Sequence, residues 1–554
     1  MMRTRDTSEQ TIVRGDDIQP GRLGSYHRLT TGPGEPHQRR LDLLHGSEAP
    51  HSRPPSMTNV RPSHTIAHLV QLTDFQIADV ASPTRFEFAE RHATDPNFSE
   101  FIPAQRPQET LVRPALATLA ATIRTLGPSP RTGTAPQLAI ATGDVIDNAQ
   151  ANELEWYLAL LDGGEVGPLW PGDPEGLYSK DWPGADWFWS PEDRPDRVKT
   201  DWGFPTLPGL LAHTGLSSEG MGIPWLACHG NHEALVQGVL PPLVPPVGAL
   251  NAITTGSSKP WDIPDGLPHE DLLAATLADP SLIFSGPAVA VRPDPARRLL
   301  APGDFAAAHL AAKGAQPPGH GLSEDNARRG DAYYHWDGID GLRIIVLDTA
   351  HPGGAAAGSI GAGQLEWLED RLKEVSSHFI DPSGRPARHS GSTDAVVLIA
   401  SHHGPDTLTN LLPCPTGETR YGGAEIVALL HRFPNVIGWI SGHVHIHSVV
   451  PYPHPTTGGF WSITTASIMD WPSQARELEI VANEDGTISI WSTLVDHAGP
   501  VDALDDLDAH SAASLGALHR EFASNHMWQI GMDPLRGTLL DRNVEMLVTI
   551  PEMA

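Results

Sequence analysis

Five stretches of this 554-residue chain carry side chains that can hold a divalent cation. They are Asp74-Phe75-Gln76, Gly143-Asp144-Val145-Ile146-Asp147, Gly230-Asn231-His232-Glu233, Ser401-His402-His403 and Gly442-His443-Val444-His445. Neutral imidazole is the commonest nitrogen ligand for zinc, iron and manganese, and carboxylates and amide carbonyls supply oxygen. In the last stretch, residues i and i+2 share a side in extended backbone. His443 and His445 are therefore expected to converge where a strand opens into a loop. Taken singly, each stretch reads as a polar turn, because an isolated His-x-His is a turn more often than a ligand pair.

Position links them. An apolar run stands before each: 65–72, 137–142, 223–228, 395–400 and 435–440. Runs of this length bounded by turn residues read as buried strands. Helical patterns lie between some of them, at 108–126 (with Pro114 in its first turn or kinking it), 152–161, 362–375 and 423–433. Such alternation predicts a largely parallel central sheet, whose sites form at the carboxyl ends of its strands. Five ligand-bearing segments at the same topological place make coincidence a poor explanation.

Further strands are expected at 333–336, before a turn at Asp337-Gly338, and at 342–347, ending at Asp348. Others follow at 459–465, 476–482 and 487–495, the last two joined by Glu484-Asp485-Gly486 as a hairpin. A helix near 505–525 and a strand near 544–550 close the chain. Residues 1–62 read as an extended amino-terminal arm, 63–500 as the main domain, and 501–554 as an extension packed on it. Two irregular stretches, 163–222 and 239–330, read as insertions, the second with short helices near 269–278 and 303–313. The tryptophans at 170–202 read as lid core rather than a base-stacking platform. His229 is expected to pack against the sheet, His447 to lie at the rim, and Cys228 to be a small core residue.

Composition narrows the function. Asp and Glu number 67 against 37 Lys and Arg, a formal charge of −30. That surface repels phosphate backbones, which sets aside nucleic-acid binding by a basic face. A protein this acidic needs local cations to act on phosphate esters, and bound metal supplies them. Two cysteines form neither a zinc array nor a disulfide framework. No apolar run reaches eighteen residues and no signal-type segment opens the chain, so a cytoplasmic protein off the membrane is expected. Oligomeric state is left open.

In their order, Asp-x-Gln, Gly-Asp-x-x-Asp, Gly-Asn-His-Glu, His-His and Gly-His-x-His, these motifs resemble the calcineurin-like metallophosphoesterase superfamily over about 65–495. Gly358-Ser359-Ile360-Gly361 followed by Gln364 and Trp367-Leu368 adds to the likeness. The resemblance implies a four-layer α/β sandwich of two mixed β-sheets flanked by helices, here with long loop insertions. It implies two divalent ions (manganese, iron or zinc), with Asp144 bridging, Asp74 and His445 on the first, and Asn231, His402 and His443 on the second. His232 would lie beside the phosphate to protonate the leaving oxygen, Asp147 would orient it, and Asn231 and His403 would help bind substrate. Hydrolysis would proceed by direct attack of a metal-bound hydroxide, without a phospho-enzyme.

One position departs from the pattern: Gln76 stands where the family usually has histidine. A carbonyl oxygen is a harder, weaker ligand than imidazole, so the first site would favour manganese, magnesium or iron over zinc, or bind loosely. Gln76 otherwise hydrogen-bonds a metal-bound water, or Asp79 substitutes for it. The expected substrate is a small-molecule phosphoester, leaning to a diester or nucleotide-like compound because the insertions would roof the site. The alternatives are a phosphomonoesterase, a mononuclear hydrolase, and a non-catalytic binding protein on the same fold.

Overall fold

The structure, a computed structural model, describes residues 5–43, 51–53, 60–213, 215–242, 249–504, 510–526 and 533–551. The strands of its two large sheets, with the amino-terminal hairpin, are β1 (Arg5–Asp6), β2 (Gln10–Pro20), β3 (Ser25–Pro33), β4 (Arg40–Asp42), β5 (His51–Arg53), β6 (Pro62–Leu72), β7 (Leu138–Ala141), β8 (Trp225–Ala227), β9 (Tyr334–Ile339), β10 (Leu342–Val346), β11 (Val396–Ala400), β12 (Val436–Ser441), β13 (Ser448–His454), β14 (Gly458–Thr464), β15 (Gln474–Asn483), β16 (Thr487–Asp496) and β17 (Val544–Thr549). The main helices are α1 (Val112–Arg124), α2 (Ala151–Asp162), α3 (Ala362–Glu374), α4 (Gly423–Leu430) and α5 (Ala512–Asn525).

One sheet runs β8-β7-β6-β15-β16-β17-β4-β5, with β1 paired to β16; the other runs β9-β10-β11-β12-β14-β13. Both are mixed. The strands that precede the ligand-type motifs are parallel to their neighbours, β6-β7-β8 in one sheet and β10-β11-β12-β14 in the other. The antiparallel pairings are β15 with β6 and β16, β16 with β17 and β1, β4 with β5, and edges β9 and β13 with their neighbours. A largely parallel sheet therefore describes the site strands, because hairpins and segments from both ends of the chain add the others. One such hairpin turns at Asp340-Gly341 rather than Asp337-Gly338, since β9 continues to Ile339 through an irregularity after Trp336.

Side-chain alternation distributes the core. Ile344 and Val346 of β10 join Leu398 of β11 and Ile440 of β12 in a cluster that also holds Leu69 of β6, Ile140 of β7 and Ile480 of β15. Ile345, Val397, Ile399 and Trp439 point the other way, onto Leu368 and Leu372 of α3 and Ile426 and Leu430 of α4. Period-two alternation thus commits one face of the second sheet to the first sheet and the other to helices.

The amino-terminal segment, expected as an extended arm, carries the β2–β3 hairpin and gives β4 and β5 to the large sheet. Residues 505–509 of the helix expected near 505–525 lie outside the described residues; α5 packs on α1, where a Cβ at Gly516 would come within 2.9 Å of Thr118 Oγ1. The tryptophan-rich insertion is packed rather than open. Trp189 is fully buried edge-on to Phe522 of α5, and Trp182 is buried with Leu177 and Tyr178. Among the described residues, no helix is long and apolar enough to cross a membrane.

Candidate metal centre

Register brings the motifs together. Leu72 pairs with Ala141 and Ala141 with Ala227, so β6, β7 and β8 end level. Their continuations stay bonded: the Asp74 N–H donates to Gly143 O at 3.1 Å, and the Gln76 N–H to Asp144 O at 2.9 Å. In the second sheet Ala400 pairs with Ile440, and the Gly442 N–H donates to His402 O at 3.0 Å. Among the bonds that join the sheets at this end, Gln71 Nε2 donates to Ser441 O at 2.9 Å, and His402 Nδ1 to Thr142 O at 2.9 Å.

The motif glycines permit this closeness. A Cβ at Gly230 would stand 2.2 Å from Asp144 Oδ1, and one at Gly442 2.3 Å from Asp74 Oδ2. The site backbone is also twisted. Asp74, Gln76, Asp144, His443 and His445 all have positive φ, between 45° and 72°. Each such residue costs about 1–3 kcal/mol and persists only where its surroundings hold it. Extended backbone is thus not what makes His443 and His445 converge; two successive left-handed turns aim them. The His443 ring lies 5.1 Å from that of His402, centroid to centroid, whereas His445 Nε2 lies 3.2 Å from Asp74 Oδ1.

Ligand-type atoms of Asp74, Asp144 and His402 lie within 4.8 Å of one another, all buried. His402 Nε2 is 3.0 Å from Asp144 Oδ2. A carbonyl only accepts, so the bond to Thr142 O places a proton on His402 Nδ1 and turns Nε2 toward the centre. His445 is held alike, with Nδ1–H donating to Asp470 Oδ2 at 2.6 Å. Metal-ligating histidines are typically oriented by such a carbonyl or carboxylate. Two further oxygens, Asn231 Oδ1 and Gln76 Oε1, are buried and accept no hydrogen bond among the described residues. Carboxylates, outward-held imidazoles and orphaned amide oxygens converging in one place fit a cation-binding centre.

Charges there are strongly coupled. Burial alone would lower His402, but Asp144 and Asp74 outweigh it and lift it to about 9. Burial likewise opposes His445, which Asp74 and Asp470 raise to about 9. Burial, reinforced by His402, pushes His443 down to about 3. For Asp144, burial is overcome by His402 and His232, which hold the carboxyl well below its usual range.

Other expected residues sit differently. His232 Nδ1 donates to the main-chain carbonyl of Asp147 at 2.7 Å, while the Asp147 carboxylate is 3.7 Å away. That carboxylate instead accepts from Arg85 Nε at 2.9 Å. Asp147 therefore orients His232 through its backbone. His232 Nε2 accepts from the Gln76 amide at 3.3 Å and lies 3.8 Å from Asp144 Oδ2. His403 lies beside His402 and His443, yet its Nδ1 accepts from the Thr349 hydroxyl and its Nε2 donates to Ala356 O, both at 2.8 Å. No ring nitrogen of His403 is left for a substrate. Asp79 points elsewhere, to Arg297 Nε at 2.7 Å and Asn152. His229 pairs with Asp348 at 3.2 Å, and His447 is not at the rim but buried against Arg476 and Gln474.

Sequence reasoning missed three contributors. Asp470 fixes His445. The Glu233 carboxylate accepts from the backbone N–H groups of Gly230, Asp144, Val145 and Ile146, tying two motif loops together. Arg106 lines the cavity of about 400 Å³ that opens over Gln76, Asp144, Asn231, His232, His443 and His445. Only Asp470 had a signal, as a carboxylate shortly after another parallel strand, β14.

No protein-family model matches this chain, and no curated protein does. Among solved structures, a dimetal phosphatase from Danio rerio aligns with 78% of this chain and 99% of its own length at 12% identity, with a TM-score of 0.34. So loose a superposition decides nothing about the chemistry, which the side chains themselves must carry.

Proposed function

We propose that this chain is a metal-dependent phosphoesterase, with residues 63–500 as the main part of a four-layer metallophosphoesterase sandwich whose first sheet is completed by β1, β4, β5 and β17. The carrying observation is the convergence of Asp74, Asp144 and His402 atoms within 4.8 Å at the carboxyl ends of strands from two sheets. Asp144 would be shared between two ions, with Asp74, His445 and the Gln76 oxygen on one side and Asn231, His402 and His443 on the other. Divalent manganese, iron or zinc there would supply Lewis acidity toward a phosphoryl oxygen and toward water.

The protein's own part is positional. His232 keeps one proton at Nδ1 on the Asp147 carbonyl, so Nε2, facing the cavity, is the nitrogen that takes up a second proton from water and, from the imidazolium, gives it to the departing ester oxygen. In the neutral ring that nitrogen accepts from the Gln76 amide, a bond that gives way once Nε2 is protonated. Phe86, Phe101, Ile102 and Val239 wall the cavity, which at about 400 Å³ suits a small molecule better than a folded phosphoprotein. Those walls support the lean to a diester or nucleotide-like substrate over a monoester.

Protein purified without chelator is expected to hydrolyse bis(4-nitrophenyl) phosphate with added manganese, iron or zinc, to lose that activity in EDTA, and to regain it on metal return. A wide preference for 4-nitrophenyl phosphate would reverse the diester reading. Absence of turnover of both substrates with every metal would overturn the activity itself.

A further inference from the structure

Arg106 is the only arginine or lysine among the described residues lining the cavity, and it is 7% exposed. Its Nε stands 3.0 Å from Asp470 Oδ1, an ion pair rather than an aligned hydrogen bond. Among the described residues, the rest of the guanidinium has no hydrogen-bond partner. A guanidinium carries five donors, and only Nε is among the buried atoms left without a hydrogen bond, so the two Nη groups remain accessible where Arg106 lines the cavity. Asp470 anchors the group from behind: its Oδ1 also takes Gln108 Nε2 at 3.3 Å, and its Oδ2 takes His445 Nδ1. A planar fork held at one corner and open at the other is pre-organised for an anionic oxygen pair.

Its place fixes which anion. Between Arg106 and Asp74 stand the Asp470 carboxylate and then the whole His445 ring, whose far nitrogen faces Asp74. Among the described residues Arg106 pairs with Asp470 and makes no ion pair with Asp74 or Asp144, so its guanidinium is not part of the seat those carboxylates form for a phosphoryl group. The group meeting Arg106 belongs to another part of the same ligand. Phe86, Phe101, Ile102 and Val239 offer that ligand's carbon frame an apolar wall.

We propose that Arg106 is a substrate-binding residue for a second anionic group, so that the substrate is a phosphate ester bearing a carboxylate or a further phosphate beyond the group transferred. This rests on the phosphoesterase reading for the seat of the first phosphate.

Calorimetric titration of the metal-loaded protein with methylphosphonate, phosphonoacetate and methylenediphosphonate tests it without turnover. At least one of the two doubly anionic probes is expected to bind about tenfold or more tightly than methylphosphonate, a gain of about 1.4 kcal/mol. Whether phosphonoacetate or methylenediphosphonate wins separates carboxylate from phosphate. Arg106→Gln should erase the advantage, and Arg106→Lys, which keeps the charge without the fork, should retain part of it and serves if the first variant does not fold. Equal affinity for all three probes, or an advantage that survives in the folded variant, would overturn the proposal. Failure of methylphosphonate itself to bind would instead point to failure of the phosphoesterase reading beneath it.

Discussion

In the proposed centre Asn231, His402 and His443 would serve one side of Asp144, and Asp74, His445 and Gln76 the other. The first group has two imidazoles, and His402 is oriented by the neutral carbonyl of Thr142. The second group has a single imidazole, but His445 is oriented by a carboxylate, Asp470, at 2.6 Å. A carboxylate behind an imidazole raises its basicity as a ligand more than a carbonyl does. The half that lacks a second histidine thus has the more strongly backed one. Gln76, which stands in this half in place of a histidine, donates its amide to His232, so its departure from histidine also touches the residue proposed to transfer the proton.

The largest effect is expected where the halves meet. Asp144→Asn should cut phosphoester turnover by at least about 1000-fold with the fold intact, because both sides lose their shared charge at once. Turnover alongside circular dichroism checks this, and near wild-type activity would dissolve the comparison. Asp470→Asn should break it on one side, weakening the ion next to His445 by about 10- to 100-fold while the ion at His402 stays. Competition with a chromophoric chelator would show one of two ions released early. The smallest effect sharpens the comparison: Gln76→His should raise zinc affinity on the Asp74 side by roughly tenfold, as imidazole replaces a carbonyl oxygen. An unchanged zinc titration would mean that position 76 does not ligate.

Much of this was open to sequence reasoning because local rules governed it. Apolar runs at 65–72, 137–142, 223–228, 395–400 and 435–440 form strands whether or not their neighbours are known. Helices α1 and α3 follow their apolar stripes, though Pro114 sits in the first turn of α1 instead of kinking it. Edge strand β13 escaped notice because its two prolines argue against a strand, and an edge tolerates them. The turn-rich insertion hid the packing of Trp189, and the irregular stretch before α1 hid the approach of Arg106, since neither has a periodic signal.

Sequence alone determined that carboxylates, amides and imidazoles follow parallel strands, because strand formation and its polar terminus are both written within a dozen residues. Only the tertiary structure decided which atoms face the centre. Left-handed backbone at Asp74, Gln76, Asp144, His443 and His445 sets their direction, and that conformation is held by contacts between two sheets. The bond of His232 to the Asp147 carbonyl rather than its carboxylate, the loss of both His403 nitrogens to Thr349 and Ala356, and the support of His445 by Asp470 all depend on partners far away in sequence or on a backbone atom, where side-chain identity gives no guide.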